Sequence, residues 1–177
     1  MKILIGITSS ISAYRIPNLV SQLKKHDHEI ITMISEAAKA FVTRQSLAVM
    51  SQNPCYQDSD EWGETNDVLH IKLSKWCDVC LIAPLTANSL AKIANGICDN
   101  LLSSTVRALG DKKLLLAPAM NTKMWENKIT KVHLDMVQKY YNVKLIDPVE
   151  KALADGDEGM GGLADDETIL QALNKLM

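Results

Sequence analysis

Short, nearly unbroken apolar runs alternate along this chain with segments whose apolar residues recur every three or four positions. That alternation predicts buried parallel strands covered by helices. Lys2 to Ile7 reads as the first strand; after the polar turn Thr8-Ser9-Ser10, the spacing of Ile16, Leu19, Val20 and Leu23 predicts a helix, with Pro17 near its first turn, where proline is tolerated. Glu29 to Ile34 reads as the second strand, followed by Ser35 as a favourable N-cap and a helical stretch carrying Glu36, Ala37, Ala38 and Ala40. Further strands are expected over Val79 to Ala83, Leu114 to Ala117 and Val143 to Ile146, and helices over Thr86 to Ala94, Asp99 to Leu109, Thr130 to Tyr140 and Glu167 to Leu176. Asn53 to Asp67 is polar and without a period, so it reads as a surface excursion. The stretch ADGDEGMGGLADD, with four glycines among thirteen residues, reads as a flexible loop of functional rather than packing use. The fold class is α/β, a parallel sheet with helices on both faces.

Length adds a boundary: 177 residues without repeat or linker fit one domain, 1–177, with a core of its own. Nineteen basic against 21 acidic residues, net −2, disfavours a nucleic-acid partner, whose binders concentrate positive charge. No apolar run approaches the roughly 20 residues of a membrane span, and MKILIGI passes directly into Thr8, Ser9 and Ser10 without the pattern of an export signal. No membrane association and a cytoplasmic location are therefore expected, with Cys55, Cys77, Cys80 and Cys98 as thiols. Cys77-x-x-Cys80 runs into an apolar strand, where residues three apart face opposite ways, and no second ligand pair accompanies it; no metal site is expected.

In an open parallel sheet, ligands bind beyond the carboxyl ends of the strands, where helix N-termini direct N–H groups at anions. Those ends here are rich in hydroxyl and amide groups: TSSIS after the first strand, Ser35 after the second, Pro84-Leu85-Thr86-Ala87-Asn88 after the third and Pro118-Ala119-Met120-Asn121 after the fourth. Such groups serve either as helix caps or as a pocket for a phosphate and a ring. GxGxxG and GxxxxGK[ST] are absent. His70, in the alternating segment VLHIKLSKW, is a candidate base because imidazole titrates near neutral pH, or else a structural histidine. His26, His28 and His133 read as solvated. Asn121 is either an N-cap or an uncharged ligand for a carboxylate.

Five stretches, ITSSISAYR, VLHIKLSKWCD, IAPLTANSLAKIANGICDNLL, APAMNTKMWEN and DGDEGMGGLAD, together resemble in order and spacing the flavin-dependent cysteine decarboxylases, closest to the branch acting on phosphopantothenoylcysteine. The resemblance implies a three-layer Rossmann-like (flavodoxin-like) domain assembling as a homotrimer or larger arrays of trimers, with FMN at subunit contacts. It places Ser9, Ser10, Ile11 and Ser12 in the first flavin-binding turn, Ser35 in the second, and Pro84, Leu85, Thr86, Ala87 and Asn88 in the third. His70 becomes the catalytic base, Asn121 with Met120 the substrate-binding pair, and about 152–165 a flexible flap over a small cysteine-containing substrate.

The implied reaction is decarboxylation of 4'-phosphopantothenoylcysteine to 4'-phosphopantetheine in coenzyme A biosynthesis. Oxidising the carbon that bears sulfur creates a thiocarbonyl, the electron sink a cysteine carboxylate otherwise lacks; the enethiolate left by loss of carbon dioxide is then reduced. Two positions depart from the family pattern. Ser9 stands where glycine is usual, and Asp155, in Asp155-Gly156-Asp157, stands where the family's proton donor is cysteine. Asp155 is thus the expected acid of the last step only if burial raises its affinity for a proton. Two alternatives remain: an oxidative decarboxylase of a peptide's C-terminal cysteine, which stops at an aminoenethiol, and a non-catalytic flavin-binding regulatory subunit.

Overall fold

The computed structural model describes residues 1–62, 68–152 and 158–176. Six strands form a parallel sheet in the order 3-2-1-4-5-6. They are β1 (Lys2–Ile7), β2 (Glu29–Ile34), β3 (Cys55–Tyr56), β4 (Val79–Leu85), β5 (Lys113–Pro118) and β6 (Val143–Leu145). A separate antiparallel pair, β7 (Val149–Ala152) and β8 (Glu158–Gly162), follows. The helices are α1 (Ile16–Lys25), α2 (Arg44–Ser51), α3 (Leu69–Trp76), α4 (Ala87–Ala94), α5 (Leu101–Arg107), α6 (Thr122–Trp125), α7 (Lys128–Tyr140) and α8 (Asp166–Asn174).

Alternation along the strands builds two cores. Ile3, Ile5 and Ile7 of β1, Val79, Leu81 and Ala83 of β4, and Leu115 and Ala117 of β5 pack beneath α1, α2 and α8. Leu4, Cys80, Ile82, Leu85, Leu114 and Leu116 point the other way, beneath α3, α4, α5 and α7. The sheet is covered on both faces, which is why its strands are apolar without a polar side. Gly6 lets α5 come close: a Cβ there would meet Ile82 Cδ1 at 2.7 Å and Leu102 Cδ1 at 2.8 Å.

Several expectations are corrected. Residues 53–62, the described part of the stretch read as a surface excursion over Asn53 to Asp67, are not only that, since Cys55–Tyr56 adds an edge strand to β2 and Glu61 is buried. Segment VLHIKLSKW, read only as alternating apolar and polar positions, is largely helix α3. Cys77 ends that helix and Cys80 lies in β4, yet both are buried in the same core, so spacing on a single strand does not describe them. Part of the glycine-rich loop is strand β8, because its glycines serve close approach: a Cβ on Gly159 would overlap Thr122 Oγ1, and one on Gly161, at φ +140°, would overlap the Met120 carbonyl. His28 is buried, 3% exposed, with neither ring nitrogen hydrogen-bonded among the described residues.

That burial has a pH consequence. Desolvation, reinforced by the chain's amino terminus and His26 against the opposing Asp27, pushes the His28 imidazole below its ordinary value. The unfolded chain therefore takes up this proton first as pH falls below about 6.5, and stability declines there. His28→Leu should flatten the fall in unfolding free energy between pH 7.5 and 5.5. One proton sets the upper bound, about 1.4 kcal/mol per pH unit. Equal slopes in urea titrations of the two proteins would refute the assignment.

A second device holds α3. Lys112 Nζ donates to the carbonyls of Ser74 at 2.7 Å, Lys75 at 2.7 Å and Cys77 at 2.6 Å, a cation on the C-terminal end of the helix. Lys112→Met should lower stability by about 1–3 kcal/mol, read as a reduced denaturant midpoint.

Candidate functional site

The order of strands reverses between β1 and β4, and a cleft opens there at their carboxyl ends. Thr8, 1% exposed, joins the two ends: its hydroxyl donates to the Pro84 carbonyl at 2.7 Å and accepts from the Thr86 N–H at 3.0 Å. Thr86 then caps α4, its hydroxyl accepting from the Ser89 N–H, and Ala87 begins the helix. The cleft, about 250 Å³, is lined by Ser9 from the first turn, Ser35 from the second, and Asn88 and Ser89 from the first turn of α4. Asn100 and Ser103, at the start of α5, close its far side. Ser35 is the N-cap of the short helix Glu36–Ala40 but makes no side-chain cap bond, so its hydroxyl is not committed to the backbone. Lys92, also in the lining, is paired with Asp99 at 2.7 Å.

Of the other residues expected here, Ser10 accepts from the Ser12 N–H at 3.3 Å and so shapes the first turn. Ile11 is 52% exposed beside it. Pro84, preceded by a cis peptide bond, and Leu85 are buried; the Leu85 carbonyl accepts from the Ala119 N–H at 2.9 Å, which draws the end of β5 against that of β4. Those two residues shape the strand end through backbone and core contacts.

Met120 and Asn121 stand at the next strand end. The Met120 N–H donates to the Gly161 carbonyl at 2.9 Å, seating β8 on this corner. Asn121 Oδ1 accepts from the Lys123 N–H at 2.8 Å as the N-cap of α6. Asn121 therefore caps α6, one of the two uses its position after the strand end allowed. Arg15 fastens the exit of β8 to the first turn. Its guanidinium donates to the carbonyls of Leu163 and Ala164, each at 3.0 Å, and pairs with Asp166 at 2.7 Å. Asp155 lies outside the described residues.

His70 is not in this cleft. It lines a second one, about 320 Å³, with Glu61, Trp62, Cys98, Ser104, Arg107 and Ala108. Helix α5 with its N-cap contributes to both clefts, Asn100 and Ser103 to the first, Ser104 and Arg107 to the second. The Glu61 carboxylate accepts the His70 backbone N–H at 3.0 Å through Oε2 and contacts ring Nδ1 through Oε1. Sequence reasoning missed Thr8, Arg15 and Glu61. For Glu61 a faint signal existed, a carboxylate upstream of a helix whose own N-cap, Val68, has no capping side chain.

Mouse phosphopantothenoylcysteine decarboxylase is 40% identical over 182 residues, covering 99% of this chain and 87% of its own. A longer Schizosaccharomyces pombe protein, named as a probable thymidylate synthase, is 42% identical over 170 residues, and the match spans only 27% of it. Among solved structures, a cysteine-to-serine mutant of PPC decarboxylase complexed with pantothenoylaminoethenethiol superposes with TM-score 0.91 at 37% identity, covering 99% of this chain and 97% of that one. A peptidyl-cysteine decarboxylase superposes with TM-score 0.81 at 29% identity, over 96% of each chain. The family described as Flavoprotein matches residues 1–177 from end to end, and with the strand-end cleft in place the chain belongs to it.

Proposed function

We propose that this chain is an FMN-dependent decarboxylase of 4'-phosphopantothenoylcysteine that yields 4'-phosphopantetheine. The observation that carries the reading is the cleft at the switch point, which gathers Ser9, Ser35 and the N-terminal turn of α4. Hydroxyls and N–H groups directed by a helix N-terminus suit a phosphate, and the uncommitted Ser35 hydroxyl is a donor available to one. Ser9, Ser10, Ser12, Ser35, Thr86 and Asn88 would hold FMN, with Ile11, Pro84, Leu85 and Ala87 shaping the wall.

Bound FMN supplies a two-electron acceptor for the carbon that bears sulfur. The remaining work falls to side chains. His70 would take the substrate thiol proton, and Asn121, at the strand end beside Met120, would orient the carboxylate with an uncharged amide rather than a strong ion pair that would hold it in place. Strand β8, seated on Met120, would anchor the flap that the resemblance implies at about 152–165 and that would exclude water, within a chain working as one domain over 1–177; residues 153–157 of it lie outside the described residues.

The separation of His70 from the strand-end cleft supports assembly. Pockets that enclose a ligand measure about 300–1,000 Å³. The strand-end cleft, about 250 Å³, is small beside that range and lacks His70, so a neighbouring subunit that brings a His70 to it would complete the site. Ile11 at 52% exposure and Tyr14 at 64% stand beside the first turn, and Trp62 at 85% beside His70. A homotrimer, or an assembly of trimers, covers such apolar groups and brings one subunit's His70 to another's flavin. Among the described residues no helix is long and apolar enough to cross a membrane. The four cysteines are free thiols, the state a reducing cytoplasm maintains, and this supports a cytoplasmic location.

A second reading, that the product is left as an enethiol, rests on Asp155 standing in the flap. The test is direct. Purified protein should be yellow, release FMN on denaturation, and convert 4'-phosphopantothenoylcysteine to a product lighter by one carbon dioxide. A product lighter by two further hydrogens selects the enethiol reading. A colourless protein that takes up no FMN refutes both.

A further inference from the structure

Glu61 belongs to no strand end and to none of the motifs above, yet its side chain is only 5% exposed, against 25% for His70. A carboxylate so buried requires strong partners. It has them in His70, whose backbone N–H reaches Oε2 and whose ring Nδ1 reaches Oε1. The turn carrying Glu61 is itself pinned. The Gln57 N–H donates to Asp60 Oδ2 at 3.0 Å, and Arg44 pairs with Asp60 at 2.8 Å while donating from Nε to the Cys55 carbonyl at 2.6 Å. Asp58 Oδ1 accepts the Leu101 N–H at 3.0 Å, tying the same turn to α5.

We propose that Glu61 is the positioning residue for His70, holding the ring by Nδ1–H so that Nε2 is the nitrogen presented to the substrate thiol. This rests on the reading of His70 as the base. Helix capping accounts for the backbone bond, since Val68 provides no cap, but it does not account for the ring bond. An imidazole hydrogen-bonded at one nitrogen has its tautomer fixed and its other nitrogen left as the lone-pair donor. When Nε2 takes the thiol proton, the neighbouring carboxylate offsets the new positive charge. At metal sites, loss of the partner that orients an imidazole costs about ten- to a hundredfold, and a loss of at least that order is expected here.

The FMN-loaded protein, with ¹⁵N-labelled histidine, provides the test. Wild type should give the Nδ1–H, Nε2-lone-pair tautomer for His70, assigned by its disappearance in His70→Asn. Glu61→Gln keeps the volume and a carbonyl acceptor for the cap. It should fold, hold FMN, show mixed tautomers at His70, and lose about ten- to a hundredfold in kcat with KM nearly unchanged. Glu61→Asp, one methylene shorter, should recover part of the loss. An unchanged ¹⁵N pattern in folded, flavin-bound Glu61→Gln overturns the proposal even if His70→Asn is inactive. A fully active His70→Asn protein overturns the base assignment instead, and the catalytic role of Glu61 falls with it.

Discussion

Replacing His70 by Asn should lower turnover of 4'-phosphopantothenoylcysteine by about two to four orders of magnitude while the protein keeps its fold and its flavin. Asn preserves the polar character and the backbone N–H that Glu61 accepts, but it offers no nitrogen able to take a proton near neutral pH. The flavin should remain because Ser9, Ser35 and Asn88 line a cleft from which His70 is absent in the protomer. Anaerobic mixing with substrate isolates the step: flavin bleaching in the first turnover should slow by the same factor as the steady-state rate. If bleaching remains fast and only the later release of product slows, His70 acts after oxidation and the assignment of the thiol proton to it is wrong.

The sheet was legible because burial on both faces leaves an apolar run that nothing else in a chain of this size explains. Lys2–Ile7 and Glu29–Ile34 coincide with the expected strands to the residue. What was not legible was anything set by a partner distant in sequence. Cys55–Tyr56 is too short to show a period and is a strand only because Thr32 and Met33 pair with it. Helix α3 presented an alternating pattern at its start, and its helical state is fixed by Leu69 and Leu73 packing one turn apart in the core, with Glu61 and Lys112 at its ends. His28 looked like a surface histidine in a charged stretch, and burial there follows from its place in the turn before β2.

The site divides in the same way. Hydroxyl-rich strand ends are a local property, so Ser9, Ser35 and Asn88 could be named from the chain and do converge. Thr8 was visible only as part of a polar turn; its importance comes from Pro84 and Thr86, 76 and 78 positions away. The glycines of the late loop were read as freedom, whereas two of them, Gly159 and Gly161, mark places where another side chain or backbone passes too near for a Cβ.

Gly161→Ala should therefore undock β8 from Met120. At φ +140° an alanine is strained by about 1–3 kcal/mol in any surroundings. Here its Cβ also overlaps the Met120 carbonyl, a backbone atom that cannot rotate aside, so relief requires the strand to move. The 2.9 Å bond from the Met120 N–H to the Gly161 carbonyl should then open, and hydrogen exchange at Met120 should quicken by about ten- to a hundredfold. Displacement should stop at Leu163 and Ala164, whose carbonyls Arg15 holds, leaving α8 packed and the thermal midpoint of the main sheet little changed. KM should rise because the flap that closes over substrate has lost its root. Gly110→Ala is the control: Gly110 has φ +62° and nothing within 4 Å of a Cβ, so it incurs the backbone strain without touching the site. Wild-type protection at Met120 in Gly161→Ala would show that β8 is not seated by this contact.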